Sequence, residues 1–109
     1  MTRSPAEKLA GAIRAEIVNC MTFTGAVTVD ALTSRPWASI TFSGDRHRLR
    51  ISFDGPGAVG AAADLLQRLE ALEVAIPGLL LADLALLAES RRDDGRRAWL
   101  ELEALTIDD

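Results

Sequence analysis

Hydrophobicity alternates with a period of two in two separate stretches of this chain, His47-Arg48-Leu49-Arg50-Ile51-Ser52-Phe53 and Trp99-Leu100-Glu101-Leu102-Glu103-Ala104-Leu105. Successive side chains of a strand point to opposite faces, so each stretch has to bury one row and leave the other in water. That predicts a sheet with one packed face and one open face, as in an antiparallel sheet covered by helices on one side only. The outward rows differ in sign, since Arg48 and Arg50 make one basic and Glu101 and Glu103 make the other acidic. If the two strands are neighbours, the rows pair within the sheet; if not, they are free to pair between subunits.

A chain of 109 residues has room for one domain and one core, so residues 1–109 are read as a single unit. Apolar residues make up 49% and charged residues 26%, the balance of a packed protein and not of a disordered one. The formal net charge of −4 argues against a general nucleic-acid binder, which would show a basic balance. Cys20 is the only cysteine, which excludes an intramolecular disulfide and a cysteine metal cluster and fits a reducing compartment. Met1 to Ala10 has no apolar core of signal-peptide length, and no stretch approaches the roughly 18–20 apolar residues of a membrane span. A cytoplasmic protein without membrane contact is expected.

The first helix begins with a capping box, Ser4 facing Glu7, with Pro5 at the first helical position. Ala6, Leu9, Ala10, Ile13 and Ile17 recur at helical spacing, which predicts a one-sided helix ending near Asn19. From Met21 the period becomes two, with Met21, Phe23, Val27 and Val29 on one face and Thr22, Thr24, Thr28 and Asp30 on the other. Thr33-Ser34-Arg35-Pro36 reads as a turn, followed by a second strand in which Ala38, Ile40 and Phe42 alternate with Trp37, Ser39 and Thr41. Gly44-Asp45 then reads as a two-residue hairpin loop, pairing Ser43 with Arg46 and Ile40 with Leu49.

Asp54-Gly55-Pro56-Gly57 closes the third strand and introduces a second helix from about Ala58, with a stripe of Ala62, Leu65, Leu66, Leu69 and Leu72 that ends at Pro77-Gly78. Leu80, Ala82, Leu84, Leu86 and Ala88 predict the inward row of a fourth strand, with Asp83, Ala85, Leu87 and Glu89 outward. For the last hairpin, an Asp94-Gly95 turn would set Ala88 against Glu101. A three-residue loop, Asp93-Asp94-Gly95, pairs Ala88 with Leu100, Leu86 with Leu102 and Leu84 with Ala104, and is preferred. The result is an α+β two-layer sandwich of order αβββαββ, with an antiparallel sheet of about five strands and two helices on one face, ferredoxin-like in general character.

Little in this sequence can do chemistry. His47 is the only histidine, so no histidine pair can hold a metal; it sits on the inward register, where a structural role is expected. Cys20 has no neighbour to activate it and is expected to be a small buried hydrophobe. Glu101 and Glu103 are about 7 Å apart by the strand rise, but the sequence implies no aromatic-lined cleft around them. No catalytic, metal-binding or cofactor-binding residue is assigned, and the chain is expected not to be an enzyme. An interface is expected instead on the open face, where large apolar residues stand among charges: Trp37, Arg48, Arg50, Leu87, Trp99, Glu101, Glu103 and Leu105.

The segments Arg35-Pro36-Trp37-Ala38-Ser39-Ile40 and His47-Arg48-Leu49-Arg50-Ile51 belong to a further pattern. Together with the leucine-rich second helix and Asp94-Gly95-Arg96-Arg97 running into Leu100-Glu101-Leu102-Glu103-Ala104-Leu105-Thr106, they resemble the tail-terminator, or tail-completion, proteins of tailed phages and gene-transfer agents. The resemblance spans about residues 36–107. It implies a structural subunit that forms a ring at the head-proximal end of a tail tube, with Arg91, Arg92, Arg96 and Arg97 meeting other tail or neck proteins. The leading expectation is a homo-oligomeric assembly protein; the alternative is a small binding module for a small ligand or a regulatory protein.

Overall fold

The computed structural model describes residues 4–72 and 74–108, with Asp93 described by its backbone alone. Met1–Arg3, part of the amino-terminal segment read above for a signal peptide, lie outside the described residues. Helix α1 (Pro5–Cys20) starts where the capping box places it, the Ser4 hydroxyl accepting from the Glu7 amide at 3.2 Å. Strands β1 (Ala26–Ala38) and β2 (Ser43–Asp54) form a hairpin, helix α2 (Ala58–Arg68) follows, and β3 (Leu79–Arg92) and β4 (Arg97–Asp108) form a second hairpin. A short 3₁₀ turn, Leu69–Ala71, extends α2, so the helical segment stops before Leu72, which is extended, and not at Pro77-Gly78 where the sequence pattern places its end.

The four strands make one antiparallel sheet in the order β1-β2-β4-β3. Its packed face carries Leu49, Ile51 and Phe53 from β2 and Ala98, Leu100, Leu102 and Ala104 from β4, all buried. Leu9, Ile13 and Ile17 of α1 and Ala58, Ala61, Ala62 and Leu65 of α2 close on them in a single core. At roughly 1.5–3 kcal/mol for each large aliphatic side chain buried, this face is the main source of stability. Helix α1 lies over β1, and α2 over β2 and β4.

The element order is αββαββ, so the fold class stands but the strand count does not: four strands are present among the described residues, not about five. The two strands expected between Met21 and Ser43 are one, and it begins only at Ala26. Thr33-Ser34-Arg35-Pro36 is not a turn but runs on within β1, paired to Arg48, His47, Arg46 and Asp45. The reason is position in the sheet. A proline removes no ladder bond from an edge strand whose donor side faces solvent, and β1 is an edge.

The expected Gly44-Asp45 hairpin is also absent, and the chain turns four residues earlier. The loop Ser39–Phe42 is closed by the Ser39 amide donating to the Phe42 carbonyl at 2.7 Å, with Ala38 paired to Ser43. Gly44 instead lies inside β2, where an added Cβ would collide with the Thr106 carbonyl. Glycine marks a close approach there rather than a turn.

At the second hairpin, Leu86 pairs with Leu102 and Leu84 with Ala104 as expected, whereas Ala88 faces Glu101 and not Leu100. The loop has four residues between Arg92 and Arg97, with Asp94 and Gly95 both in the left-handed region at φ of 53° and 89°. A bulge at Leu87 then moves the register by one, and a second at Ala82 moves it again. These bulges put Leu79, Leu81, Leu84, Leu86 and Glu89 on the helix side and Leu80, Asp83, Ala85 and Ala88 on the open side. The inward row expected at Leu80, Ala82 and Ala88 is therefore corrected, as are Glu89 and Leu87 in the outward row.

Candidate functional site: the open sheet face

Register alone arranges the open face into cross-strand rows. From one end, they are Trp37, Gly44, Ile107 and Leu80; Arg35, Arg46, Leu105 and Asp83; Thr33, Arg48, Glu103 and Ala85; Asp30, Arg50, Glu101 and Ala88; and Thr28, Ser52, Trp99 and Ser90. The basic row of β2 and the acidic row of β4 are thus immediate neighbours. Arg50 reaches Glu101 at 3.7 Å and Arg46 reaches Glu103 at 3.5 Å. The Arg50 guanidinium also stacks on Trp99, 4.3 Å above the ring centroid, which leaves its Nε buried without a hydrogen-bond partner. Two pairs of the opposed charges are thus joined inside one sheet, while Arg48, although opposite Glu103, makes no ion pair among the described residues.

The expected interface residues Trp37, Arg48, Arg50, Trp99, Glu101, Glu103 and Leu105 share this face, in successive cross-strand rows. Trp37 is half-buried: its indole N–H crosses β2 at Gly44 to donate to the Thr106 carbonyl of β4 at 3.2 Å. Leu87 is the exception to the shared face, being the bulge residue, and it is 43% exposed. Arg91, Arg92, Arg96 and Arg97 are likewise divided. Arg91 is on the helix-side register and paired with Glu89 at 3.7 Å, Arg97 is paired with Asp54 at 3.3 Å, and Arg92 and Arg96 are exposed.

Several surface residues had no sequence signal that separated them from core or turn. Ile40 and Phe42, expected as strand core, are fully exposed and 56% exposed at the tip of the first hairpin. Leu80 and Leu86, expected inward, are 53% and 40% exposed. Thr33 and Arg35, expected in a turn, join Arg46 and Arg48 around a depression of about 300 Å³. A second depression, about 430 Å³, is lined by Arg50, Ser52, Arg92, Arg97 and Trp99.

On the other face His47 is fully enclosed, as its inward register predicts. Thr106 Oγ1 donates to the Asp45 carbonyl at 3.3 Å, so that oxygen accepts from His47 Nε2–H at 3.0 Å. His47 Nδ1 is then the acceptor for the Ser34 hydroxyl at 2.8 Å. Burial lowers the His47 pKa and the carboxylate of Asp45 opposes this only in part, which keeps the ring neutral. Cys20 is exposed, not buried, at the end of α1; its thiol donates to Glu16 at 2.8 Å, and that hydrogen bond foremost raises its pKa and suppresses the thiolate. No group of three metal-ligating side chains occurs among the described residues, and no helix there is long and apolar enough to cross a membrane. No protein-family model and no curated protein matches the chain.

Proposed function

We propose that this protein is a non-enzymatic assembly subunit that works as a homo-oligomer by extending its sheet through strand β3. The observation that carries the proposal is the exposure of leucines on both sides of that edge strand: Leu80 on the open side, Leu86 on the helix side and Leu87 at the bulge, 53%, 40% and 43% exposed. An edge strand of 14 residues with apolar side chains on both faces is a template for pairing with another chain. The partner is a second copy presenting its other edge, β1. A rotation about an axis along the strands keeps their directions, so β3 of one copy meets β1 of the next antiparallel, and successive copies close into a ring.

A ring is also what the likeness to phage tail-terminator proteins implies, and the exposed Ile40 and Phe42 at the hairpin tip give such a ring an apolar rim for other tail or neck proteins. Placement speaks against a site that joins His47 to Glu101 or Glu103: the His47 side chain lies on the helix side, while both carboxylates project from the opposite face. The element order αββαββ is a circular permutation of the ferredoxin-like βαββαβ arrangement, which keeps the alternative of a small binding module within the same architecture.

The test is light scattering of the full chain over a wide concentration range, with electron microscopy of any assembly. We expect multimers that form rings, and expect Leu86→Lys with Leu87→Lys to give a folded monomer. A wild-type chain that is monomeric at its highest soluble concentration overturns the proposal.

A further inference from the structure

Thr33 and Arg35 of β1 stand directly opposite Arg48 and Arg46 of β2. Side chains across a strand pair are about 5 Å apart and those two residues along a strand about 7 Å, so these four mark the corners of a small quadrilateral. Three corners are guanidiniums and the fourth is a hydroxyl. The depression of about 300 Å³ between them also touches Glu103 and His47.

Like charges placed directly opposite in a sheet cost stability, and Arg35 faces Arg46. Only one of the three arginines is neutralised among the described residues: Arg46 has Glu103 at 3.5 Å, while Arg35 and Arg48 have no ion pair. Three guanidiniums less one carboxylate leave a local charge of +2. The basic zone is also narrow. The row beyond it on one side carries Asp30 and Glu101, and the row on the other carries Trp37 and Leu80. A polyanion that had to continue past the arginines would meet carboxylates or apolar surface, whereas a single tetrahedral oxyanion fits within the quadrilateral.

We propose that this depression is a binding site for a phosphate-class dianion, either inorganic phosphate or a phosphomonoester. The charge matches that of the dianion, guanidinium forks present paired N–H donors to its oxygens, and Thr33 supplies a hydroxyl donor. The ligand neutralises the Arg35 and Arg46 repulsion, so binding also stabilises the β1–β2 hairpin.

The test titrates inorganic phosphate into the full chain at pH 7.5 and constant ionic strength, with chloride as the exchanged anion, followed by calorimetry and by NMR of the arginine Nε–H groups. Saturable binding is expected, with shifts confined to Arg35, Arg46 and Arg48. Arg35→Ala and Arg48→Ala should each weaken it at least about tenfold, the loss of one charge-assisted contact. Glu103→Gln should tighten it, and acidification that converts the dianion to the monoanion should weaken it. Because Arg35→Ala removes a repulsion, its melting temperature without phosphate should not fall, which separates lost binding from lost folding. A glycerol phosphate arm identifies the source: tighter binding than phosphate assigns a phosphomonoester, and equal binding assigns the free anion. Non-saturating shifts, equal shifts in chloride, or unchanged affinity in the Arg35→Ala and Arg48→Ala variants overturn the proposal.

Discussion

His47 is 1% exposed and makes hydrogen bonds through both ring nitrogens, so protonating it costs both desolvation and the bond in which Nδ1 accepts from Ser34. Its folded pKa lies below the ordinary 6.5. The unfolded chain therefore takes up a proton first as the pH falls, and stability that is present above pH 6.5 is lost as the pH drops through the folded value. Urea unfolding between pH 7.5 and pH 5 is expected to show this decline. His47→Gln, which cannot titrate, should cost about 1–2 kcal/mol at pH 7.5 yet show a flatter pH dependence over the same interval. An unchanged slope in the variant would mean that other groups set the acid limit. The inward placement of His47 was legible from its alternation with Arg48 and Leu49. Its partners were not, because Ser34 and Thr106 lie 13 and 59 residues away.

At the scale of elements, the adjacency of β2 and β4 turns two like-charged rows into a cross-strand ladder. Arg50→Glu places a carboxylate opposite Glu101 and removes the guanidinium stacked on Trp99, and should destabilise the fold by about 1–2 kcal/mol. Adding Glu101→Arg should return only part of this, because the stacking is not restored; denaturation of the two single variants and the double variant measures the pair directly. A coupling near zero would assign the whole loss to the ring contact. The helices were the most legible elements, since the cap at Ser4 and Pro5 and the spacing of Leu9, Ile13 and Ile17 depend on contacts within a few residues. The first hairpin was the least legible. Ile40 and Phe42 alternate as core residues do, but they sit on a loop tip where no helix covers them, and Gly44 resembles a turn residue only until Trp37 is seen to cross it. At the second hairpin, avoiding core against charge correctly pairs Leu86 with Leu102, but the structure satisfies that rule with a bulge at Leu87 and not with a shorter loop.

At the scale of the whole molecule, β3 is the element that the two-layer packing leaves incomplete. Helices α1 and α2 cover β1, β2 and β4, and the edge beyond them keeps exposed leucines on both sides. If β3 pairs with a second copy, amide hydrogen exchange along Ala82–Ser90 should slow as protein concentration rises, while exchange in α1 stays constant; concentration-independent exchange along β3 would argue that this edge remains open. What the sequence by itself determined are the features set by local periodicity: two one-sided helices, strands with one buried row, the inward place of His47 and the charged outer face. Strand order, the merging of two expected strands into β1, the bulges of β3 and the gathering of Thr33, Arg35, Arg46 and Arg48 around one depression were decided only by the tertiary structure. Each of these depends on which strand lies beside which, and that choice is made by packing against the helices between residues far apart in the chain.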